Sequence, residues 1–213
     1  MDSVEKILTT LDKSKPVLLV DADEVLLRFV ERLEQYFLSQ GFELRLISFQ
    51  LTGNIYNMNT GDPAEPAEVK GLLANFFEEC VDDMASVPGA AEGLASLSEH
   101  YQIAILTNVP QSSKARRARN LALQGMDYPV IANKGDKGPA VKLIAAATEK
   151  TTVFIDDLPP QHSSVANHCP GSHRIHFVAD SRLARMISKA PDANIRIDKW
   201  DQVTHHLTTL LEI

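Results

Sequence analysis

The chain has 213 residues, of which 44% are hydrophobic, so it is long enough for one large domain or for a core with an insertion. Its formal net charge of −7 argues against nucleic acid or an anionic membrane as a partner, and any phosphate site must be local. The two cysteines give no disulfide framework, and neither a signal peptide nor a membrane span is apparent, so we expect a cytoplasmic protein.

Short apolar runs typical of buried parallel strands recur along the sequence. They lie at residues 17–20, 103–106, 130–132, 153–155 and 175–178. Stretches suited to helices separate most of them. This alternation predicts an α/β fold, with a Rossmann-like parallel sheet and helices on both of its faces.

The long gap between the first two strands interrupts this alternation. We predict a helix over residues 29–40 and a second over residues 65–83, joined by a polar stretch rich in Thr, Gly and Asn. The middle of the gap, residues 51–60, is either a lid, a substrate-contacting surface or an ordinary surface loop. The Pro88-Gly89 turn then returns the chain to the core before a helix over residues 91–99.

The predicted organisation is therefore a core with one insertion. The core comprises residues 1–27 and 86–213. Residues 28–85 form a small, mostly helical cap over the edge of the sheet at which the strands end. We find no internal repeat or low-complexity segment.

Polar side chains follow the ends of several predicted strands. Asp21-Ala22-Asp23 comes directly after the first strand, Thr107-Asn108 after the second and Asp156-Asp157 after the fourth, while Lys137 begins a helix that runs to about residue 148. Open α/β sheets bind ligands outside the carboxyl ends of their strands, so we expect these groups to meet. Carboxylates from two strand ends can hold Mg²⁺, and a lysine and a hydroxyl complete the charge neutralisation that phosphoryl transfer needs.

The first pair of acids also has a simpler interpretation. Asp21 and Asp23 could merely end the strand or cap a helix that starts near Val25.

In this order, the four groups resemble the four motifs of the haloacid dehalogenase (HAD) superfamily: an Asp-x-Asp after strand one, a Thr or Ser after strand two, a Lys before a later helix, and an acidic cluster after strand four. The resemblance covers nearly the whole chain from about Lys15 and is to the phosphatase branch with a helical cap inserted after motif one. It implies a Mg²⁺-dependent phosphohydrolase acting through an aspartyl-phosphate on a small phosphorylated metabolite, with a nucleotide as one candidate.

The resemblance also implies catalytic roles. Asp21 would be the nucleophile, and Asp23 would protonate the leaving oxygen and later activate water. Thr107 and the backbone N–H of Asn108 would bind phosphoryl oxygens. Lys137 would offset the charge of nucleophile and phosphate.

The metal ligands implied by the resemblance are four aspartates. The Asp21 carboxylate and the Asp23 backbone carbonyl would bind Mg²⁺ from motif one. Asp157 would be the main ligand of motif four, and Asp156 would act directly or through water.

Three positions depart from the family pattern or leave a choice. Glu24 stands where many members have Gly, and it would narrow the pocket, disfavour highly anionic substrates or point outward. Lys134 competes with Lys137 as the motif-three lysine, and we favour Lys137 because it heads a helix. Leu158 follows the acidic cluster where many members carry a further Asp, which suggests a weaker metal site.

Other functions remain open at this point. A haloacid dehalogenase would use the same nucleophile, although it needs neither the acid Asp23 nor a metal, and a HAD-like binding or regulatory module would have lost turnover. The basic run at residues 114–119 favours a solvated helix face over a nucleic-acid patch. The histidines at residues 168–176 match no common zinc spacing, and Trp200 is expected to pack a terminal segment. A homodimer is an assembly that the sequence allows.

Overall fold

The computed structural model describes residues 2–211. In chain order, the strands are β1 (Val17–Val20), β2 (Phe42–Leu44), β3 (Ile55–Asn57), β4 (Gln102–Thr107), β5 (Val130–Ala132), β6 (Thr152–Asp156), β7 (His173–His176) and β8 (Ile195–Arg196). The helices are α1 (Asp2–Leu8), α2 (Phe29–Ser39), α3 (Pro66–Glu79), α4 (Ala90–Leu97), α5 (Lys114–Leu123), α6 (Gly138–Ala145), α7 (Pro159–His168), α8 (Ser181–Ala184) and α9 (Trp200–Leu210).

Six strands form one sheet in the order β5-β4-β1-β6-β7-β8, and every neighbouring pair is parallel. All four residues of the central strand β1 are buried. Leu18 and Val20 belong to one hydrophobic cluster and Val17 and Leu19 to another, as expected when alternate side chains face opposite sides of a strand. A strand that is apolar on both faces must be covered on both faces.

Helices supply that cover. One cluster includes buried residues of α4 and α9, such as Leu94 and Trp200, and the other includes residues of α6 and α7, such as Ile144 and Val165. The predicted α/β fold with helices on both faces is therefore confirmed. Trp200 is 1% exposed and its indole N–H donates to the Val25 carbonyl at 2.9 Å, so its predicted packing role is also confirmed.

Residues 28–85, which lie between β1 and β4 in the sequence, are called the insert below. It contains α2 and α3, as the sequence predicted, and also the antiparallel hairpin β2–β3, which it did not. The chain enters and leaves the insert side by side. Arg28 N–H donates to the Ala85 carbonyl at 2.9 Å, and Val87 N–H donates to the Leu26 carbonyl at 2.8 Å.

The expectation of a helix near Val25 is wrong. Glu24 has a φ of 57°, in the left-handed region, and the N–H groups of Leu26 and Leu27 both donate to the Ala22 carbonyl at 2.9 Å. These contacts make a tight turn, and α2 begins only at Phe29. The predicted strand at 175–178 lies earlier than expected, at β7. Within residues 2–211, every helix is too short or too polar to cross a lipid bilayer.

Candidate active site

The order of the strands brings the predicted acids and hydroxyl together. β1 lies between β4 and β6, with Val20 paired to Ile105 on one side and Ile155 on the other. The next residue, Asp21, donates its backbone N–H to the Ile155 carbonyl at 2.9 Å. Because the three strands are parallel, the residues at their carboxyl ends share one edge of the sheet.

Lys137 lies at the centre of this edge. Its Nζ is 2.8 Å from Asp21 Oδ2 and 2.6 Å from Asp156 Oδ2, and the residue is 1% exposed. Burial alone would lower the pKa of Lys137, but the carboxylates of Asp156 and Asp21 outweigh it and raise the pKa. Lys134 is exposed on the preceding loop. The structure thus puts Lys137, and not Lys134, beside Asp21.

Local contacts fix this lysine. Its backbone N–H donates to Gln161 Oε1 at 2.9 Å, and the N–H of Gly138 donates to Ser164 Oγ at 3.1 Å. A Cβ at position 138 would collide with the backbone carbonyl and the hydroxyl of Ser164. Only glycine therefore lets α6 approach α7 this closely, and that approach places Lys137.

Three buried carboxylates form a cluster, and two of them contact the lysine. One oxygen from each of Asp21, Asp156 and Asp157 lies within 4.8 Å of the others. Asp156 uses its other oxygen to accept the Leu158 N–H at 2.9 Å, whereas no residue in the range 2–211 donates to the Asp157 carboxylate. Burial, together with the negative charges of Asp156 and Asp21, raises the pKa of Asp157 well above its usual value.

This cluster has the chemistry of a site for a divalent cation. Lys137 is the one cation beside three carboxylates, so full ionisation leaves two negative charges uncompensated in a buried space. Oxygen ligands of this kind suit Mg²⁺. The unpaired Asp157 carboxylate and its raised pKa are the specific observations that fit a cation at this place.

Asp23 faces an arginine that sequence reasoning placed in solvent. Arg117 of α5 is fully buried, and its Nη2 lies 2.8 Å from Asp23 Oδ1. Burial raises the pKa of Asp23 to about 6, and the positive charge of Arg117 opposes a larger rise. A carboxyl group with a pKa near neutrality can both give and accept a proton at working pH.

The interpretation of residues 114–119 as a solvated helix face is therefore wrong for Arg117, whereas the Arg119 side chain is 65% exposed. Besides Arg117, Arg116 and Arg119 bind the Asp82 carboxylate, at 2.6 Å and 3.0 Å. Asp82 lies just after α3, at the end of the insert. The basic run thus binds the insert to the core. The hydrogen bonds from Arg116 and Arg119 lower the pKa of the Asp82 carboxyl group to about 2.

Glu24 is 3% exposed and does not point outward. Its Oε1 accepts the N–H of Val30, in the first turn of α2, at 2.7 Å, and its Oε2 accepts the N–H of Asp180 at 2.9 Å. Burial raises the pKa of Glu24 to about 7, against the opposing effect of these two N–H groups. Glu24 thus joins the turn after β1 to the insert and to the loop after β7.

Thr107 and Asn108 differ in their contacts. The hydroxyl of Thr107 is buried and has no hydrogen-bond partner among residues 2–211. Such an orphaned group suits an oxygen atom of a ligand. The side chain of Asn108 is engaged elsewhere, since its amide donates to the Gly135 carbonyl at 2.9 Å and accepts from Asn133 at 2.8 Å.

Two buried histidines hold the backbone of the acidic cluster. His162 and His176 donate from Nε2 to the carbonyls of Asp156 and Asp157, each at 2.9 Å. Nδ1 of His176 accepts the Ala190 N–H, which fixes its tautomer, and burial lowers the pKa of both rings to about 4. His176 therefore has a structural role, in holding the backbone at Asp157. Among the described residues, the only group of three or more metal-ligating side chains is the aspartate cluster.

Comparison with known proteins rests on structure alone, because neither protein-family models nor curated proteins match this sequence. A HAD family hydrolase from Deinococcus radiodurans R1, with bound phosphate and sodium, has a TM-score of 0.63 at 16% identity over 93% of this chain and 97% of that chain. The HAD hydrolase YfnB from Bacillus subtilis, bound to magnesium, has a TM-score of 0.59 at 15% identity over 92% and 99%.

An L-2-haloacid dehalogenase, PA0810, is also similar, with a TM-score of 0.58 at 12% identity over 92% of this chain and 100% of that chain. All three similarities extend over nearly the full length of both chains. The chain therefore has the fold of the HAD superfamily.

Proposed function

We propose that this protein is a Mg²⁺-dependent phosphohydrolase that releases phosphate from a small phosphorylated metabolite through an aspartyl-phosphate on Asp21. The observation that carries the proposal is the buried cluster of Asp21, Asp156 and Asp157 around Lys137. The phosphate and magnesium bound in two proteins of the same fold are consistent with it.

Four aspartates would hold the metal. These are the carboxylates of Asp21, Asp156 and Asp157, with the backbone carbonyl of Asp23 as implied by the family resemblance. When bound, Mg²⁺ would screen the negative charges of the nucleophile and the phosphoryl group from each other.

Asp21 would attack phosphorus, and the bond from phosphorus to the leaving oxygen would break. Asp23 would donate its proton to that oxygen. In the second step Asp23 would take a proton from water, which attacks phosphorus and frees Asp21 with release of phosphate. Lys137 would hold the Asp21 carboxylate in place, and the free hydroxyl of Thr107 would donate to a phosphoryl oxygen.

We propose that the insert, residues 28–85, acts as a cap over this site. Its paired entry and exit at Arg28–Ala85 and Leu26–Val87 give it a narrow connection to the core. The arginines of α5 bind Asp82, next to this connection.

The dehalogenase alternative has structural similarities in its favour, since two of the similar solved structures are dehalogenases. The three buried carboxylates count against it, since a metal-free enzyme would have to keep their charge with only Lys137 as a counter-ion. A module that has lost turnover is the remaining alternative, and Glu24 is the departure from the family pattern that would disable motif one. Its side chain accepts two backbone N–H groups and, among residues 2–211, hydrogen-bonds to neither Asp21 nor Asp23.

The test is a screen of phosphorylated metabolites with and without Mg²⁺, using the wild type and Asp21→Asn. We expect Mg²⁺-dependent phosphate release that falls by a factor of about 10³ or more in Asp21→Asn. Full activity in Asp21→Asn would refute the assignment. Halide release from 2-haloacids without Mg²⁺ would favour a dehalogenase, and tight ligand binding without turnover would favour a binding module.

A further inference from the structure

A cavity of about 220 Å³ opens from the acidic cluster toward the insert. Its floor includes Asp21, Asp23 and Asp157. Its walls are apolar, with Phe29, Leu46, Phe49 and Leu51 from the insert and Leu158 and Leu183 from the core.

The walls are held by packing within the insert. Phe29 makes an edge-to-face contact with Phe76, with ring centroids 5.4 Å apart, and lies 6.1 Å from the ring of Phe77. Phe49 and Leu51 pack against the larger hydrophobic cluster. An apolar wall fixed in this way stabilises a ligand by removing the apolar surface of that ligand from water.

The charges around the cavity are almost all negative. Four acidic residues line it, and the one basic residue among its described lining residues is Lys137, whose ammonium group already binds two carboxylates. A second phosphate or a carboxylate on a ligand would find no free counter-charge. Burying such an unpaired anion is costly.

Hydroxyl groups on the ligand would find few free partners. Among the described lining residues the amide side chains are those of Gln50 and Asn108, and that of Asn108 is already bound to Gly135 and Asn133. A polyhydroxylated leaving group would therefore regain only part of the hydrogen bonds that it loses to water.

The size of the cavity sets a further limit. Pockets for drug-sized ligands are roughly 300–1,000 Å³, and an apolar cavity of about 150 Å³ holds benzene. A volume of about 220 Å³ for both the phosphoryl group and the leaving group leaves space for one ring or a branched alkyl chain. A nucleotide would extend beyond this volume into solvent, and its ribose hydroxyls would find few polar partners in the cavity.

We propose that the substrate of this site is a monophosphate ester of a small, uncharged, apolar alcohol, with the leaving group bound by Phe29, Phe49 and Leu51. This inference rests on the proposed phosphohydrolase function. It names the class of leaving group that the cavity accepts.

The experiment compares esters of primary alcohols, so that intrinsic reactivity is similar. Benzyl phosphate and isopentyl phosphate represent the apolar class, glycerol 3-phosphate the hydroxylated class, phosphoglycolate the anionic class and a nucleoside 5′-monophosphate the bulky class. We expect kcat/KM for the apolar esters to exceed that for each of the others by about tenfold or more. Phe49→Ala should lower kcat/KM for benzyl phosphate by about tenfold or more and leave glycerol 3-phosphate nearly unchanged.

Ile47→Ala is the matched control, because Ile47 lies in the same loop, is 70% exposed and does not line the cavity. It should behave as wild type with every ester. A preference for glycerol 3-phosphate, phosphoglycolate or the nucleotide, or equal losses in Phe49→Ala for all esters, would overturn the proposed substrate class.

Binding of inert phosphonates separates this inference from the proposed function. By calorimetry, benzylphosphonate should bind wild type and Ile47→Ala more tightly than phosphonoacetate, and Phe49→Ala should lose that preference. The preference without any turnover would support the apolar site and refute the phosphohydrolase. Turnover that depends on Asp21, without the preference, would support the phosphohydrolase and refute the apolar site.

Discussion

Replacement of Arg117 by methionine tests the role of Asp23. The guanidinium lies 2.8 Å from the carboxylate and is fully buried, so little solvent screens the pair. An opposite charge this close lowers a carboxyl pKa by about 1 to 3. Because the pKa of Asp23 is about 6 with Arg117 present, Arg117→Met should move it to between about 7 and 9.

The assay is the pH dependence of kcat/KM for an ester with a poor leaving group. Formation of the aspartyl-phosphate needs Asp23 protonated, so kcat/KM should fall as pH rises through the pKa of Asp23. In Arg117→Met this basic limb should move to higher pH. The substrate phosphate, with a second pKa of about 6, titrates equally in both enzymes and cancels in the comparison.

Arg119→Met is the control, since Arg119 lies on the same helix but binds Asp82 and is 65% exposed. The pH profile of Arg119→Met should match that of wild type. Arg117→Lys keeps a positive charge, so its basic limb should lie between those of wild type and Arg117→Met. A profile of Arg117→Met that superimposes on wild type, or a limb moved to lower pH, would refute the proposed pairing.

Three further changes test the surroundings of the site. Asp157→Asn should raise the thermal midpoint of unfolding in EDTA, because it removes a buried charge. It should also weaken Mg²⁺ binding, measured by calorimetry, at least about tenfold, and an unchanged Mg²⁺ affinity would exclude Asp157 as a ligand. The pKa of Glu24 is raised from 4.5 to about 7, so its stabilising effect is full below pH 4.5 and lost as pH rises through 7. Urea unfolding in EDTA should therefore show Glu24→Gln gaining on wild type across that window, by on the order of 3 kcal/mol, whereas a pH-independent difference would contradict the assigned pKa. Gly138→Ala should cost about 1 to 3 kcal/mol through its clash with Ser164, while Gly71→Ala, in open space on α3, should gain about 0.5 to 1 kcal/mol; equal effects would disprove the close approach of α6 and α7.

The sheet and the acidic edge were predictable from the sequence because buried parallel strands are continuous apolar runs. The carboxylates directly after those runs had to share one edge, and Lys137 could be chosen over Lys134 from its place at the head of a helix. Strand β8 and the hairpin β2–β3 were not predicted because they are only two or three residues long and, unlike the equally short β5, are not continuous apolar runs.

Arg117 was missed for a different reason. The composition of a dense basic run predicts that each of its arginines is exposed to solvent. Burial, however, depends on which face of the helix each residue occupies. Arg117 shares its face with the buried Asn120 and Leu121, three and four positions later, and this spacing was a usable signal. The partners of Glu24 were beyond prediction, because Val30 and Asp180 meet it only after the insert and β7 are in place.

The most direct test of the central claim is to identify the residue that carries the phosphoryl group. Wild-type protein is mixed with substrate and Mg²⁺, quenched in acid during turnover and reduced with borohydride, which converts an aspartyl-phosphate to homoserine; the peptides are then sequenced by mass spectrometry. We predict homoserine at position 21, and none when Mg²⁺ is omitted. Phosphate release with Asp21 unmodified, or homoserine at another aspartate, would contradict the proposed mechanism.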